Sequence, residues 1–293
     1  MELIDGKALS DAIKEELAVE VQYLLKAGHK RPHLAAVLVG DDPASGAYVR
    51  SKIKSCEMVG FTSTLVRKEA DISEAELLGV IRQLNENNDV DGFIVQLPLP
   101  PHIDEEKVNL AIDPKKDVDG FHPVNVGRMT LGMPAYLPAT PQGILTMLAR
   151  YNIPTEGRNC VVLGRSNIVG RPMSILLSQK GYPGNATVEL CHSRTDDLAG
   201  HLQRADILIA AIGQPEFVTA DMVKEGAVVI DVGINRVDDA SKKRGYRLVG
   251  DVDFNGVAPK CSYITPVPGG VGLMTVTSLL MNTLKACKKE IYG

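Results

Sequence analysis

Tyr48 and Lys52 stand four residues apart on a segment that reads as a helix, and that spacing puts both side chains on one face. Val49, Ile53 and Cys56 form the adjacent apolar stripe, which sets the Tyr/Lys pair near the helix start, at the carboxyl edge of the preceding sheet. A lysine takes up protons usefully near neutrality only when burial or a neighbour pulls its pKa down from about 10.4. The run Phe93-Ile94-Val95 delivers Gln96 to the same edge, and Leu97-Pro98-Leu99-Pro100-Pro101 then stops it. Two uncharged groups, Gln96 and Tyr48, framing Lys52 in a dry cleft would tune it for proton transfer. The same spacing also fits a surface lysine whose stem lies along a tyrosine. Asp117-Val118-Asp119-Gly120-Phe121 adds carboxylates that suit a site or a simple turn.

A second constellation begins where the apolar run Cys160-Val161-Val162-Leu163 meets Gly164-Arg165-Ser166-Asn167-Ile168-Val169-Gly170-Arg171-Pro172, before a helical pattern over 173–177. A glycine turn between strand and helix can cradle a pyrophosphate, because backbone N–H groups at the helix start point at the anion. The spelling meets the G-x-G-x-x-G pattern only in part: Ser166 replaces the middle glycine and Gly170 comes one residue late. A tight turn of purely structural purpose has the same composition. The following strand ends Cys191-His192-Ser193-Arg194-Thr195 with no acid before Asp196, which favours a ribose 2′-phosphate and hence NADP over NAD. Arg165 is placed to add charge to that phosphate, or is simply an exposed loop arginine. Gly233-Ile234-Asn235, past a strand ending at Asp231, offers backbone contacts to the nicotinamide end or forms an ordinary strand exit.

The elements that must hold these residues alternate. Strand-like runs over 34–39, 62–66 and 92–96 are separated by helical patterns over 48–58 and 74–85, the rhythm of a parallel sheet with crossover helices. Thr140-Pro141 reads as a helix start with threonine as cap, and Ser45 as the cap of the lysine helix. A second series follows, with strands over 160–163, 187–191, 207–211 and 228–231. The expected fold is α/β with two domains: residues 1–140 carry the substrate and catalytic groups, residues 141–273 form a Rossmann-like NADP-binding domain, and a terminal helix over 274–293 packs back on the first, with a cleft between the two.

With 293 residues, each domain can bury its own core. The five cysteines are odd in number, scattered, and lack a C-x-x-C pair, which argues against disulfides and a zinc site. The acidic start Met1-Glu2-Leu3-Ile4-Asp5 and the lack of a roughly 20-residue apolar run lead us to expect a cytoplasmic protein. A net charge of −4 with both signs interspersed offers no stripe for nucleic acid or an anionic membrane.

Taken together, these residues resemble the bifunctional methylenetetrahydrofolate dehydrogenase/methenyltetrahydrofolate cyclohydrolase family, and the likeness covers nearly the whole chain. It is carried by Ile4-Asp5-Gly6-Lys7, Tyr48-Val49-x-x-Lys52, Gln96-Leu97-Pro98-Leu99-Pro100, Asp117 to Phe121, Gly164-Arg165-Ser166 with Val169-Gly170, Asp231 to Asn235, and Ile264-Thr265-Pro266-Val267-Pro268-Gly269-Gly270-Val271-Gly272. The resemblance implies that Lys52 is the key cyclohydrolase residue, that Gln96 tunes it, that Tyr48 orients substrate and that Asp119 holds the pterin. It implies a folate site lined also by Leu97 and Pro98 and by the turn Pro268, Gly269, Gly270, Val271 and Gly272. Gly164, Arg165, Ser166, Ser193 and Ile234 would contact NADP. The chain departs from the family at Leu273, where proline is usual, and at a longer loop around Gly181-Tyr182-Pro183-Gly184. The family also implies a homodimer, for which a hairpin over 236–249 is a candidate contact. A monofunctional dehydrogenase would not need Lys52, Gln96 and Asp119 together, and a non-catalytic sensor would be free to lose Lys52.

Overall fold

The computed structural model describes residues 1–242 and 245–292, and the chain divides into two compact units. One comprises residues 11–139 with 276–292, the other residues 1–10 with 140–275.

The first unit is built on a three-stranded parallel sheet in which His33–Val39 is central, flanked by Thr62–Lys68 and Gly92–Val95. The central strand is apolar from Leu34 onward and buried along that length, as expected of a strand covered on both faces. One face packs on Leu77, Ile81 and Leu84 of the helix Glu74–Glu86. That helix starts with a capping box: Ser73 accepts from Glu76 N–H, and the Glu76 carboxylate accepts from Ser73 N–H. The lysine helix, Pro43–Val59, begins earlier than its apolar stripe suggests and is capped differently. Asp42 is the cap, accepting from Ser45 N–H at 2.7 Å, while Ser45 is buried inside the first turn. Pro43 fits at the first helical position because it has no N–H to satisfy. Gly60 ends the helix at φ 79°, a left-handed conformation that glycine adopts without strain.

The second unit holds a six-stranded sheet in the order Glu2–Leu3, Tyr263–Ile264, Val228–Asp231, Ile207–Ala210, Asn159–Leu163, Thr187–Cys191, with every pairing parallel. From Asn159–Leu163 the chain first adds Thr187–Cys191 on one side and then Ile207–Ala210 on the other. The order therefore reverses at Asn159–Leu163, and ligands of open α/β sheets bind at the carboxyl end of such a switch point.

Two boundary expectations change, and an expected hairpin is present. Residues 1–10, assigned from sequence to the first domain, lie with the second unit, because Glu2 and Leu3 pair with Tyr263 and Ile264. Thr140 is not a cap: its helix is Ala139–Arg150, and its hydroxyl meets that of Thr275 at 2.9 Å. Asn235–Asp238 and Tyr246–Val249 form an antiparallel pair where a hairpin over 236–249 was expected, although positions 243 and 244 of that range lie outside the described residues. All five cysteines are free thiols, and among the described residues no helix is long and apolar enough to cross a membrane.

Candidate active site

Lys52 lies on the third turn of its helix, and its Nζ donates to Gln96 Oε1 at 3.1 Å. Gln96 is carried to that point by the sheet: its backbone N–H continues the ladder to Val37 O at 2.9 Å, just past the end of Gly92–Val95. The Gln96 amide nitrogen donates to Leu97 O at 2.8 Å, which leaves the amide oxygen to face the lysine. Burial pulls the Lys52 pKa below its usual value, and the charge of Asp119 opposes the shift. Burial likewise pushes Asp119 up, with Lys52 opposing. Ammonium and carboxylate thus share a desolvated pocket in which each supports the other's charge. Tyr48, one turn earlier on the same helix, is 46% exposed. Leu97 is 39% exposed and Pro98, after a cis peptide, is exposed as well.

The loop that presents Asp119 is organised by Asp117, which the sequence left open between a site and a simple turn. Asp117 is buried, and its carboxylate accepts N–H groups from Gly120 at 3.1 Å, Phe121 at 3.3 Å and His122 at 2.8 Å, and the Asn125 amide at 2.9 Å. Burial pushes its pKa up to about 7, with the Asn125 and backbone donors pulling the other way. Asn282 completes the loop from the terminal helix, its buried amide donating to Val118 O at 2.9 Å and Leu137 O at 3.0 Å. Gly120 sits at φ 76°, and a Cβ there would lie 2.5 Å from Leu137 C. An aspartate three residues before a glycine was the available signal for Asp117; Asn282, inside an apolar helix, gave none.

The glycine turn lies in the second unit. Gly164 follows Asn159–Leu163 at φ 123°, and any Cβ on it would collide with Ala211 O. Gly170 opens the helix Gly170–Ser178, and a Cβ there would collide with Gly164 O. The late glycine thus still packs helix start against strand end. Ser166, in place of the middle glycine, accepts from Val169 N–H at 3.2 Å and Gly170 N–H at 3.3 Å. Arg165 and Ser166 are exposed beside this turn, and Ser193 is exposed past Cys191. Thr195 Oγ1 accepts from His192 N–H at 2.9 Å, which closes a turn at 192–195 free of carboxylates. Glu189, Cys191 and His201 bring donor atoms within 4.8 Å of one another, and Arg204, 3.1 Å from His201 Nδ1, gives that cluster a cation already.

Pro268 to Gly272 also belong to the second unit, not to that of Lys52. Val267–Pro268 is cis, Gly269 sits at φ 108°, and Gly270 is so close to Gly6 that a Cβ on Gly6 would collide with Gly270 O. Val271 begins the helix Val271–Cys287, and a Cβ on Gly272 would lie 2.9 Å from Ile234 Cδ1. The turn and Ile234, itself 44% exposed, are therefore neighbours. At the long loop, the Tyr182 hydroxyl donates to Leu148 O at 2.9 Å and lies 3.1 Å from Ile153 O, so the insertion is anchored to the helix Ala139–Arg150 and the turn after it.

Known proteins resemble this chain over nearly its whole length. Residues 4–119 match the family model for the catalytic domain of tetrahydrofolate dehydrogenase/cyclohydrolase, and residues 138–291 match the model for its NAD(P)-binding domain. The bifunctional protein FolD of Phocaeicola vulgatus is 64% identical over 292 residues, covering 100% of both chains. Among solved structures, the bifunctional FolD methylenetetrahydrofolate dehydrogenase/cyclohydrolase of Campylobacter jejuni matches with a TM-score of 0.93 at 48% identity over 99% of each chain. The Trypanosoma brucei methylenetetrahydrofolate dehydrogenase-cyclohydrolase, complexed with NADP cofactor and inhibitor, matches with a TM-score of 0.92 at 40% identity over 99% of this chain and 98% of that one. The chain belongs to the tetrahydrofolate dehydrogenase/cyclohydrolase family.

Proposed function

We propose that this protein oxidises 5,10-methylenetetrahydrofolate to 5,10-methenyltetrahydrofolate with NADP and then hydrolyses the product to 10-formyltetrahydrofolate. The observation that carries the reading is Lys52, desolvated, held by Gln96 Oε1 at 3.1 Å and sharing its pocket with Asp119.

NADP, when bound, accepts the hydride from the methylene bridge. The bridge is flanked by two nitrogens whose lone pairs stabilise the cation left behind, so no hydroxyl proton has to be removed, and a His/Asp pair is not needed. The protein's task in this step is positioning and exclusion of water. Gly164 and Gly170 leave the turn without the side chains that would bar a pyrophosphate. Arg165, Ser166 and Ser193 are exposed and free of a competing acid, as a 2′-phosphate requires, and Ile234 stands by the nicotinamide end.

In the hydrolytic step, water attacks the methenyl carbon and Lys52, as the neutral amine, takes the proton that water loses. The C–N5 bond of the resulting adduct breaks, Lys52 returns the proton to N5, and the hydroxyl proton leaves to solvent as the formyl group forms. A buried lysine suits both directions of that exchange, because its lowered pKa keeps amine and ammonium accessible. Asp119 accepts hydrogen bonds from the pterin, a charge-assisted contact that selects the donor pattern of the ring. Tyr48 orients the substrate on the exposed side of the pocket, with Leu97 and Pro98 as further lining. The protein works in the cytoplasm as a homodimer, with the paired strands Asn235–Asp238 and Tyr246–Val249, from the segment expected over 236–249, as contact surface; gel filtration returning only monomer would remove that part.

The test is a paired assay on wild type and Lys52→Met, following NADP-dependent oxidation and methenyltetrahydrofolate hydrolysis separately. Wild type is expected to do both, and the variant to lose hydrolysis while still binding folate. A wild-type protein that does neither overturns the reading.

A further inference from the structure

Asp231 and Asp251 are both almost completely buried in the second unit, and neither is among the residues that would touch substrate or cofactor. Asp231 ends the strand Val228–Asp231. One of its carboxylate oxygens accepts N–H groups from Gly233 and Asp251, each at 2.9 Å, and the other accepts from Val252 at 3.0 Å. Asp231 therefore fixes the backbone on which Asp251 stands. Asp251 in turn reaches two loops. Its Oδ2 accepts N–H groups from Ile212 at 2.7 Å and Gly213 at 3.0 Å, just past the strand Ile207–Ala210. Its Oδ1 accepts the Asn235 amide at 2.9 Å.

The surroundings are built around these carboxylates. A Cβ on Gly233 would collide with Asp251 Oδ1, and one on Gly250 with Asp231 Oδ2. Two glycines thus make room for two side chains, and no larger residue fits at either position without moving an aspartate. Each carboxylate gives up its hydration and is compensated by three N–H donors, the condition under which burial of a charge is tolerated.

The loops so joined are those that leave the sheet next to the switch point. Across a doubly wound sheet the dinucleotide runs from the strand that reads its ribose phosphate, here Thr187–Cys191, past the glycine turn, to the strands on the other side, here Ile207–Ala210 and Val228–Asp231. Ala211, adjoining Ile212, is the residue on which Gly164 closes, so the clamp is continuous with the glycine turn.

From this geometry, and resting on the function proposed above, we infer that Asp251 is the positioning residue of the nicotinamide half of the cofactor site. Its single carboxylate locks the 212–213 and 233–235 loops to each other before NADP arrives. Without that lock the loops hold the receptive arrangement only part of the time, and the apparent affinity falls by that fraction while the chemistry of the filled site is unchanged. The loss appears in KM for NADP and hardly in kcat. Hydrolysis of methenyltetrahydrofolate consumes no NADP and reports independently on folding.

The experiment compares wild type, Asp251→Ala, Asp251→Asn, Asn235→Ala and the Asp251→Asn/Asn235→Ala double variant in both assays. All assays run at one pH, because Asp231, pushed up to about 7 by burial against its backbone donors, would otherwise change state between assays. Asp251→Ala orphans two backbone donors and is expected to raise KM for NADP by about tenfold or more, with kcat and hydrolysis each within about threefold. Asp251→Asn keeps an oxygen for Ile212 and Gly213 and loses only the tie to Asn235, so it and Asn235→Ala should each raise KM roughly threefold. The double variant should be no worse than either single one, because all three changes cut the same tie. Should Asp251→Ala fail to fold, the two milder variants and their double decide. The inference is overturned if KM for NADP stays within twofold in every folded variant, or if hydrolysis falls in step with oxidation. Absence of NADP-dependent oxidation in wild type would instead overturn the function on which it rests.

Discussion

Gln96→Glu changes one atom pair at the centre of the site and has a predictable sign. Gln96 Oε1 lies 3.1 Å from Lys52 Nζ, and a glutamate in the same rotamer sets a negative charge there once it ionises. At such a separation the attraction is worth roughly 1.3 kcal/mol if the pocket screens like water and roughly 5 kcal/mol at the effective dielectric of a protein site. Both values favour the ammonium, and about 1.4 kcal/mol is a tenfold change in the equilibrium. The neutral amine at a given pH below the limb should therefore fall by nearly tenfold or more, and the ascending limb of the hydrolysis profile should move to higher pH. Gln96→Met is the counterpart: it fills similar volume, removes the acceptor and leaves burial unopposed by it, so the limb should move to lower pH. The assay follows the loss of methenyltetrahydrofolate absorbance across pH at saturating substrate, with folate binding checked at each end. If both substitutions move the limb the same way, or neither moves it while folate still binds, proton transfer through Lys52 is refuted.

Gly164→Ala should destabilise the second unit by roughly 2 kcal/mol or more and abolish NADP binding, since its φ of 123° disfavours any side chain and the Cβ meets Ala211 O; urea denaturation and fluorescence titration check the two effects. Arg165→Ala should raise KM for NADP by about tenfold and leave KM for NAD nearly unchanged, because only the former carries the 2′-phosphate; equal loss for both would remove Arg165 from that contact. Asp117, raised to about 7 in the folded protein, keeps a proton that the unfolded chain releases near the ordinary carboxylate value. Its contribution to stability is therefore full below about pH 4 and is lost as pH rises to about 7, a slope that Asp117→Asn should flatten in urea titrations even though the variant is less stable overall.

The frame of the protein was legible because its strands are short, apolar and nearly uninterrupted. Leu34 to Val39 and Cys160 to Leu163 have the composition of strands buried on both faces, and Gly164 marks where the second must turn. Lys52 and Gln96 were legible as a pair because helix spacing and a proline stop fix them at one sheet edge. What escaped were contacts between residues far apart in sequence. Asn282 donates to two carbonyls more than a hundred positions away, and nothing in an apolar helix announces a partner at Val118 or Leu137. Glu2 and Leu3 pair with a strand at the opposite end of the chain. The helix starts were misread by competition among neighbouring polar residues. Asp42 and Ser45 can each cap, and the proline at position 43 selects the aspartate by fixing the first helical residue one position later.

Asp117 and Asp119 stand two residues apart in one loop, and their surroundings divide structure from chemistry. Asp117 is held by four donors and has no capacity left for a ligand. Among the described residues Asp119 has no side-chain hydrogen bond; burial and Lys52 are what act on it, so its carboxylate is free to bind and its charge is free to respond to the lysine. The second unit shows the same division, with Asp231 held by three backbone donors, Asp251 by two backbone donors and the Asn235 amide, and Arg165, Ser193 and Ile234 left exposed. In both units a buried, fully satisfied carboxylate fixes the path of a loop at the end of a strand. Because that work is done by side chains facing inward, the outward-facing residues of the same loops can be selected for ligand and proton transfer without also having to hold the backbone in place.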